Sequence, residues 1–250
     1  TVPESLDAGE YRWVVRTAEQ TIDRGRYVRH DPEVTKLVAQ EMLREAGVRL
    51  LLHAWLAEAL VDDGAVRGAI VETKSGRGAV RAGCVVDATG DGDAIARSGA
   101  AFEHAGGDVQ PMTLAAMLGG VDAWPNVKPP ELGRTVRAAI EDGTFPIERA
   151  GLGVFPFHRP GMVYANATRI PGDATDAWAL TRAEVEGRRQ IHALAAWLRA
   201  NAPGYANCYV QATAPQVGLR ETRRLVGLYT LTRDDVLGYR RFDDDVALNA

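Results

Sequence analysis

Three stretches combine residue types and spacings that can do chemistry. The first is Val85-Val86-Asp87-Ala88-Thr89-Gly90-Asp91-Gly92-Asp93, which reads as a strand feeding a glycine-rich turn at a helix start. Such a turn lets bare backbone approach a phosphate or sugar, and the helix end offers unpaired N–H groups. A plain strand-to-helix turn uses the same residues. A calcium loop does not fit, because its twelfth position is Ser98 rather than Glu. The second stretch is Gly218-Leu219-Arg220-Glu221-Thr222-Arg223-Arg224, a local cationic cluster. Arginine forks suit carboxylate and phosphate, although a solvated face with Glu221 pairing locally reads the same way. On a strand, Arg220, Thr222 and Arg224 would face one way and Arg223 the other. The third is Pro156-Phe157-His158-Arg159-Pro160, with Asn166 and Arg169 downstream. There a His–Arg pair would serve as acid/base and anion binder, while a merely packed or exposed loop histidine is the ordinary alternative.

Several signatures are missing. No G-x-G-x-x-G occurs: Gly90-Asp91-Gly92 continues to Ile95, and Gly151-Leu152-Gly153 to Pro156. There is no G-x-S-x-G, no C-x-x-C and no metal-like histidine spacing, so no metal is expected.

The elements that must position these residues follow from periodicity and punctuation. Asp31, Pro32 and Glu33 predict an N-cap, first position and acidic first turn. Val34, Leu37, Val38, Met42 and Ala46 continue that helix to Gly47. Short strands are predicted at 48–52, 54–61, 66–73 and 79–81, with turns at Asp62-Asp63-Gly64 and Lys74-Ser75-Gly76. Cys84 to Ala88 is a further apolar strand, and a helix follows at about 94–98. Residues 1–29 are polar and only weakly periodic. Beyond Gly107, prolines and aromatics dominate. Helical spacing returns at 132–141, and Thr181-Arg182-Ala183-Glu184 reads as a capping box opening a helix to about Ala200. Strands are predicted at 163–169, 209–213 and 225–231, and Thr232 to Asp235 resembles another capping box.

Composition bounds the function class. The chain has 250 residues, 46% of them hydrophobic and 25% charged, with a net charge of -4. These are globular proportions, and the acidic balance argues against a nucleic-acid partner. No apolar run reaches the roughly 18 residues of a membrane span, and no signal peptide is visible. Cys84 and Cys208 read as reduced thiols, so the expected location is cytoplasmic.

The turn Asp87-Ala88-Thr89-Gly90-Asp91-Gly92-Asp93 and the segment 218–224 together resemble the FAD-dependent oxidoreductases distantly related to fumarate reductase and succinate dehydrogenase flavoproteins. Stretches 42–48, 166–169, 180–188, 229–236 and 241–244 match in the same order, so the likeness covers roughly residues 31–245. The resemblance implies an α/β (α+β overall) chain: an incomplete Rossmann-like FAD-binding domain over residues 1–107, then an inserted substrate cap over 108–250 with the start of the return. It places Ala88, Thr89, Gly90 and Asp91 near the FAD phosphate and ribose. It places Gln110, Met112 and Thr113 near the flavin ring, although the fumarate reductase relatives carry a His there and this chain does not. It implies that the 220–224 segment faces flavin or substrate. Arg220, Glu221 and His158 are then the candidate catalytic residues, and Arg169 and Arg224 the candidate substrate binders.

The family's G-x-G-x-x-G segment and its C-terminal flavin-contacting return have no counterpart here. The expectation is therefore the middle of a larger flavoprotein, poorly stable or binding FAD weakly by itself. The expected partner is a small polar or anionic substrate, with oligomeric state left open. A non-catalytic nucleotide-binding or interaction module derived from a flavoprotein is the alternative. A nicotinamide-dependent enzyme is weaker, since no acidic ribose reader follows a proper fingerprint.

Overall fold

A computed structural model describes residues 4–5, 10–16, 21–28, 31–104 and 109–243. The chain is a mixed α/β protein, as predicted. It divides into two compact units, residues 1–51 with 226–250 and residues 52–225.

The first unit opens with three antiparallel strands, β1 (Glu4–Ser5), β2 (Glu10–Arg16) and β3 (Thr21–Val28), paired in chain order. They occupy the stretch whose sequence shows little periodicity. Helix α1 (Pro32–Glu45) starts as its sequence dictates. The Asp31 side chain accepts a hydrogen bond from the Glu33 amide at 2.9 Å, and Gly47 follows the helix at φ 71°. Val34, Leu37, Val38 and Met42 are exposed. The strand predicted at 48–52 does not form.

The second unit begins with a meander of β4 (Ala54–Asp62), β5 (Ala65–Thr73) and β6 (Gly76–Arg81), close to prediction. Asp63 at φ 46° and Gly64 at φ 69° make the tight first turn. Gly68 sits at φ 151°, where an added Cβ would lie 2.1 Å from the Val80 carbonyl oxygen. Only glycine lets β5 and β6 approach there.

Cys84 to Ala88, predicted as a strand, carries no ladder, and Val86 is 82% exposed. An apolar run of that kind is stable as a strand only with neighbours on its edges and cover on its faces. Every strand pairing among the described residues is antiparallel. Helix α2 (Asp93–Ser98) follows, then β7 (Phe102–His104).

The larger core of the second unit lies between Ala116 and Cys208. Strand β8 (Ala116–Gly119) is followed by helix α3 (Pro130–Glu141), then β9 (Val154–Pro156) and β10 (Val163–Ala165). Helix α4 (Ala177–Asn201) and strand β11 (Tyr209–Thr213) complete it, giving the sheet order β11-β8-β10-β9. Leu118, Val154, Val163, Ile191, Leu194 and Leu198 are fully buried at its centre. Tyr205 is buried with them, and its hydroxyl donates to the Val127 carbonyl at 2.7 Å. Burial pushes that phenol upward, so it stays a neutral donor.

Helix α4 starts a turn earlier than its sequence suggests. Asp176 is the N-cap, accepting from the Trp178 and Ala179 amides. Thr181 lies inside the helix and donates to the Ala177 carbonyl, so its box-like spacing with Glu184 is incidental.

Strand β12 (Arg223–Leu225) pairs antiparallel with β7, and the longer strand predicted at 225–231 ends at Leu225. Back in the first unit, helix α5 (Arg233–Leu237) carries the predicted capping box. Thr232 accepts from the Asp235 amide, and the Asp235 carboxylate accepts from the Thr232 amide.

Candidate functional site

The site is a junction of segments distant in sequence, all within the second unit. The Met112 amide and carbonyl pair with Ile170 at 2.9 and 3.0 Å, while Thr113 pairs on its other edge with Gly218 at 3.0 and 2.8 Å. Met112 is 2% exposed, packed with Ile170, Ala183 and Val217. It anchors the segment, and Gln110, two residues earlier, is exposed.

Two side chains of the cationic segment hold Gln110, and a third holds one of those two. The Gln110 amide donates to Glu221 Oε2 at 2.8 Å, and Arg220 Nη2 donates to Gln110 Oε1 at 2.6 Å. Arg224 Nη2 donates to Glu221 Oε1 at 2.7 Å. The Gln110 amide leads the effects that hold the Glu221 carboxyl below its usual range. The Arg224 and Arg220 guanidiniums add to it, against an opposing contribution from burial. Glu221 is therefore an ionised positioning group at neutral pH.

The next two residues fasten the same segment to the glycine-rich turn. Thr222, 5% exposed, donates to Asp91 Oδ1 at 2.9 Å. Arg223 Nη1 pairs with Asp93 Oδ1 at 3.0 Å and also reaches the Asp91 carbonyl at 3.3 Å. The arginines thus divide as the alternation argument predicts: Arg223 makes the structural ion pair, and Arg220 and Arg224 the other cluster. Thr222 departs from that argument. It sides with Arg223, because residues 219–222 are not in a strand and period-two alternation starts only at β12.

The turn is internally satisfied. Asp87 Oδ1 accepts from the Thr89 amide and hydroxyl at 3.0 and 2.7 Å, and Oδ2 from the Ile95 amide at 3.0 Å. Burial raises the Asp87 carboxyl, but hydrogen bonds from Thr89, Ile95 and Ala94 outweigh it and hold it low. Thr89 Oγ1 accepts from the Asp91 and Asp93 amides at 3.3 and 3.1 Å. Ala88, Thr89 and Gly90 are exposed, and a Cβ on Gly90 (φ 80°) would meet nothing within 4 Å.

On α4, buried Gln190 clamps the Arg169 backbone. Its Oε1 accepts from the Arg169 amide at 2.9 Å, and its Nε2 donates to the Arg169 carbonyl at 3.1 Å and to Glu186 at 2.9 Å. Thr168 Oγ1 bridges the Leu114 amide and carbonyl at 2.7 and 3.1 Å. These contacts leave the Arg169 side chain exposed, one residue from the Met112 pairing.

His158 is not brought to this junction. It sits in the turn between β9 and β10, its ring 4.2 Å from that of Phe157, and its Nε2 accepts from Arg159 Nε at 3.2 Å. Gly161 of the same turn accepts from the Val121 amide, whereas Thr113 meets Gly218 at the other end of the β8 path. The four residues of β8 lie between those ends.

A family model described as FAD dependent oxidoreductase matches residues 4–250. The chain belongs to the FAD-dependent oxidoreductase family. No curated protein and no solved structure matches it.

FAD is accordingly the cofactor of this oxidoreductase. The backbone from Ala88 to Gly90 is exposed and open to approach. The amides at the start of α2 are already occupied by Asp87 and Thr89, so the turn contributes shape more than anion-binding charge. Positive charge comes from Arg220 and Arg224 instead.

Gln190, Thr168 and Thr222 were not singled out by sequence. Gln190 had a readable signal, being polar on the helical stripe of Ala183, Gly187, Ile191, Leu194 and Leu198. Among the described residues no group of side chains could hold a metal ion, and no helix is long and apolar enough to cross a membrane.

Proposed function

We propose that this flavoprotein transfers a hydride between its flavin and a small polar or anionic substrate. The single observation that carries the reading is the convergence of residues 87–93, 110–113 and 218–224. These three segments resemble flavin-contacting stretches of the family, and eight backbone and side-chain hydrogen bonds join them here. FAD, when bound, supplies the two-electron hydride chemistry.

The chain's own residues bind and orient. Ala88 to Asp91 lie against the FAD phosphate and ribose region, and Gln110, Met112 and Thr113 against the ring. Arg220 supplies charge beside the flavin or an anionic substrate group, and Glu221 fixes both Gln110 and Arg224. Arg169 and Arg224 bind substrate. Glu221, not His158, is the carboxylate or imidazole present in the cluster, but a carboxyl held low is a weak base at neutral pH. Its role in this reading is orientation. The free thiols Cys84 and Cys208 support placing the enzyme in the cytoplasm.

The test is anaerobic reduction of the FAD-loaded chain by a panel of small hydroxy and amino acids, followed by loss of flavin absorbance. Bleaching by an anionic substrate, slowed at least about tenfold in Arg220→Ala, is expected, since one charge-assisted hydrogen bond contributes about 1.5–3 kcal/mol. Equal bleaching by wild type and variant would remove Arg220 from the site.

A further inference from the structure

Beside the Met112–Ile170 pairing, the cap holds a groove of about 570 Å³ that none of the contacts above explains. Its apolar wall includes Phe145 and Ile147, and Arg149 and Arg169 line it together. We propose that this groove binds the oxyanion of a small organic acid or phosphate ester between the Arg149 and Arg169 guanidiniums. This deepens the reading above by giving the substrate's anionic group a place, and as a substrate site it rests on that reading.

The geometry carries it. Arg149 is half-buried, and its Nη1 donates to the Asn166 carbonyl at 2.7 Å, which holds the guanidinium in place. Asn166 is brought that close because residue 153 is glycine: a Cβ there would lie 2.0 Å from the Asn166 oxygen. Gln190 fixes the Arg169 backbone from the opposite side. Among the described residues neither guanidinium has a carboxylate oxygen within 4.0 Å. Glu148 lines the groove without pairing to either.

Burial, then the neighbouring Arg169 charge, lowers the Arg149 pKa, and Arg149 in turn adds to the lowering of Lys128 by burial. Cations gathered without a paired acid repel one another. An oxyanion between two planar forks offsets that repulsion and takes paired hydrogen bonds. The groove's size and its apolar wall suit a ligand of a few carbons.

Binding is measured by calorimetry on the full chain without FAD, using inorganic phosphate, succinate and acetate, with glycerol as the uncharged control. Saturable binding of phosphate or succinate, absent for glycerol and weakened at least about tenfold in Arg169→Gln, is expected. The relative affinities of phosphate and succinate distinguish the two sources of oxyanion. Arg169→Gln is the clean variant because its side chain makes no hydrogen bond among the described residues. Arg149→Lys, which retains charge but loses the fork, is expected to weaken binding as well. No saturable binding, or equal affinity in both variants, would overturn the proposal. FAD titration of the same samples separates the readings: anion binding without FAD binding contradicts the flavin placement alone, and the reverse contradicts the groove alone.

Discussion

At the residue scale, the site depends on side chains that satisfy backbone groups, and those residues set the first expectations. Gln190 pairs with both the amide and the carbonyl of Arg169 from a buried position. Gln190→Leu keeps the volume but strands two backbone groups, and should destabilise the chain by about 2–3 kcal/mol in urea unfolding. A loss within a few tenths would mean that water replaces the clamp.

Glu221 gives a pH signature. Its folded pKa lies below its unfolded value, so its contribution is complete above the ordinary glutamate range and disappears as pH falls through the lowered folded value. Stability should therefore be steady near neutrality and fall below about pH 4. The acid limb should be shallower in Glu221→Gln, compared with wild type by denaturant midpoints at each pH. An unchanged acid limb would show that Glu221 is not held ionised by Gln110 and Arg224.

At the element scale, the meander depends on a glycine where two strands meet. Gly68 lies at φ 151° with no room for a Cβ against Val80. Gly68→Ala should cost about 3 kcal/mol or more, read as a lower melting temperature. Gly76→Ala also has positive φ but meets nothing within 4 Å, so it should cost less. Equal losses would point to backbone strain alone.

The same elements show what local sequence specifies. Turns, caps and amphipathic runs carry their own physics, so α1, the meander, α2, α3 and the α5 capping box sit close to where their residues place them. Residues 48–52 and 84–88 have strand composition yet form no ladder, because a strand is completed by partners and not by its own residues. The Thr181 spacing misleads for a related reason. A capping spacing is meaningful only where the helix starts, and Asp176 starts it earlier. Within the site, the arginine segment and the glycine turn were legible as motifs. Their mutual attachment through Thr222 and Asp91 was not, because it spans 131 positions.

At the scale of the whole molecule, the family match over residues 4–250 makes this a flavoprotein oxidoreductase, and the proposed cofactor site lies in the second unit. One segment, 218–224, pairs with residues 110–113 through Gly218, Arg220 and Glu221. The same segment holds the glycine-rich turn 87–93 through Thr222 and Arg223. Displacing it should disturb both ends of the cofactor site together. The most direct test is titration of FAD into the purified chain, followed by flavin absorbance and fluorescence, for wild type, Arg220→Ala and Thr222→Val. The account predicts saturable, one-to-one binding with a shifted flavin spectrum, weakened about tenfold or more in both variants. Absence of saturable binding, or equal affinity in all three proteins, would contradict the placement of FAD at this junction.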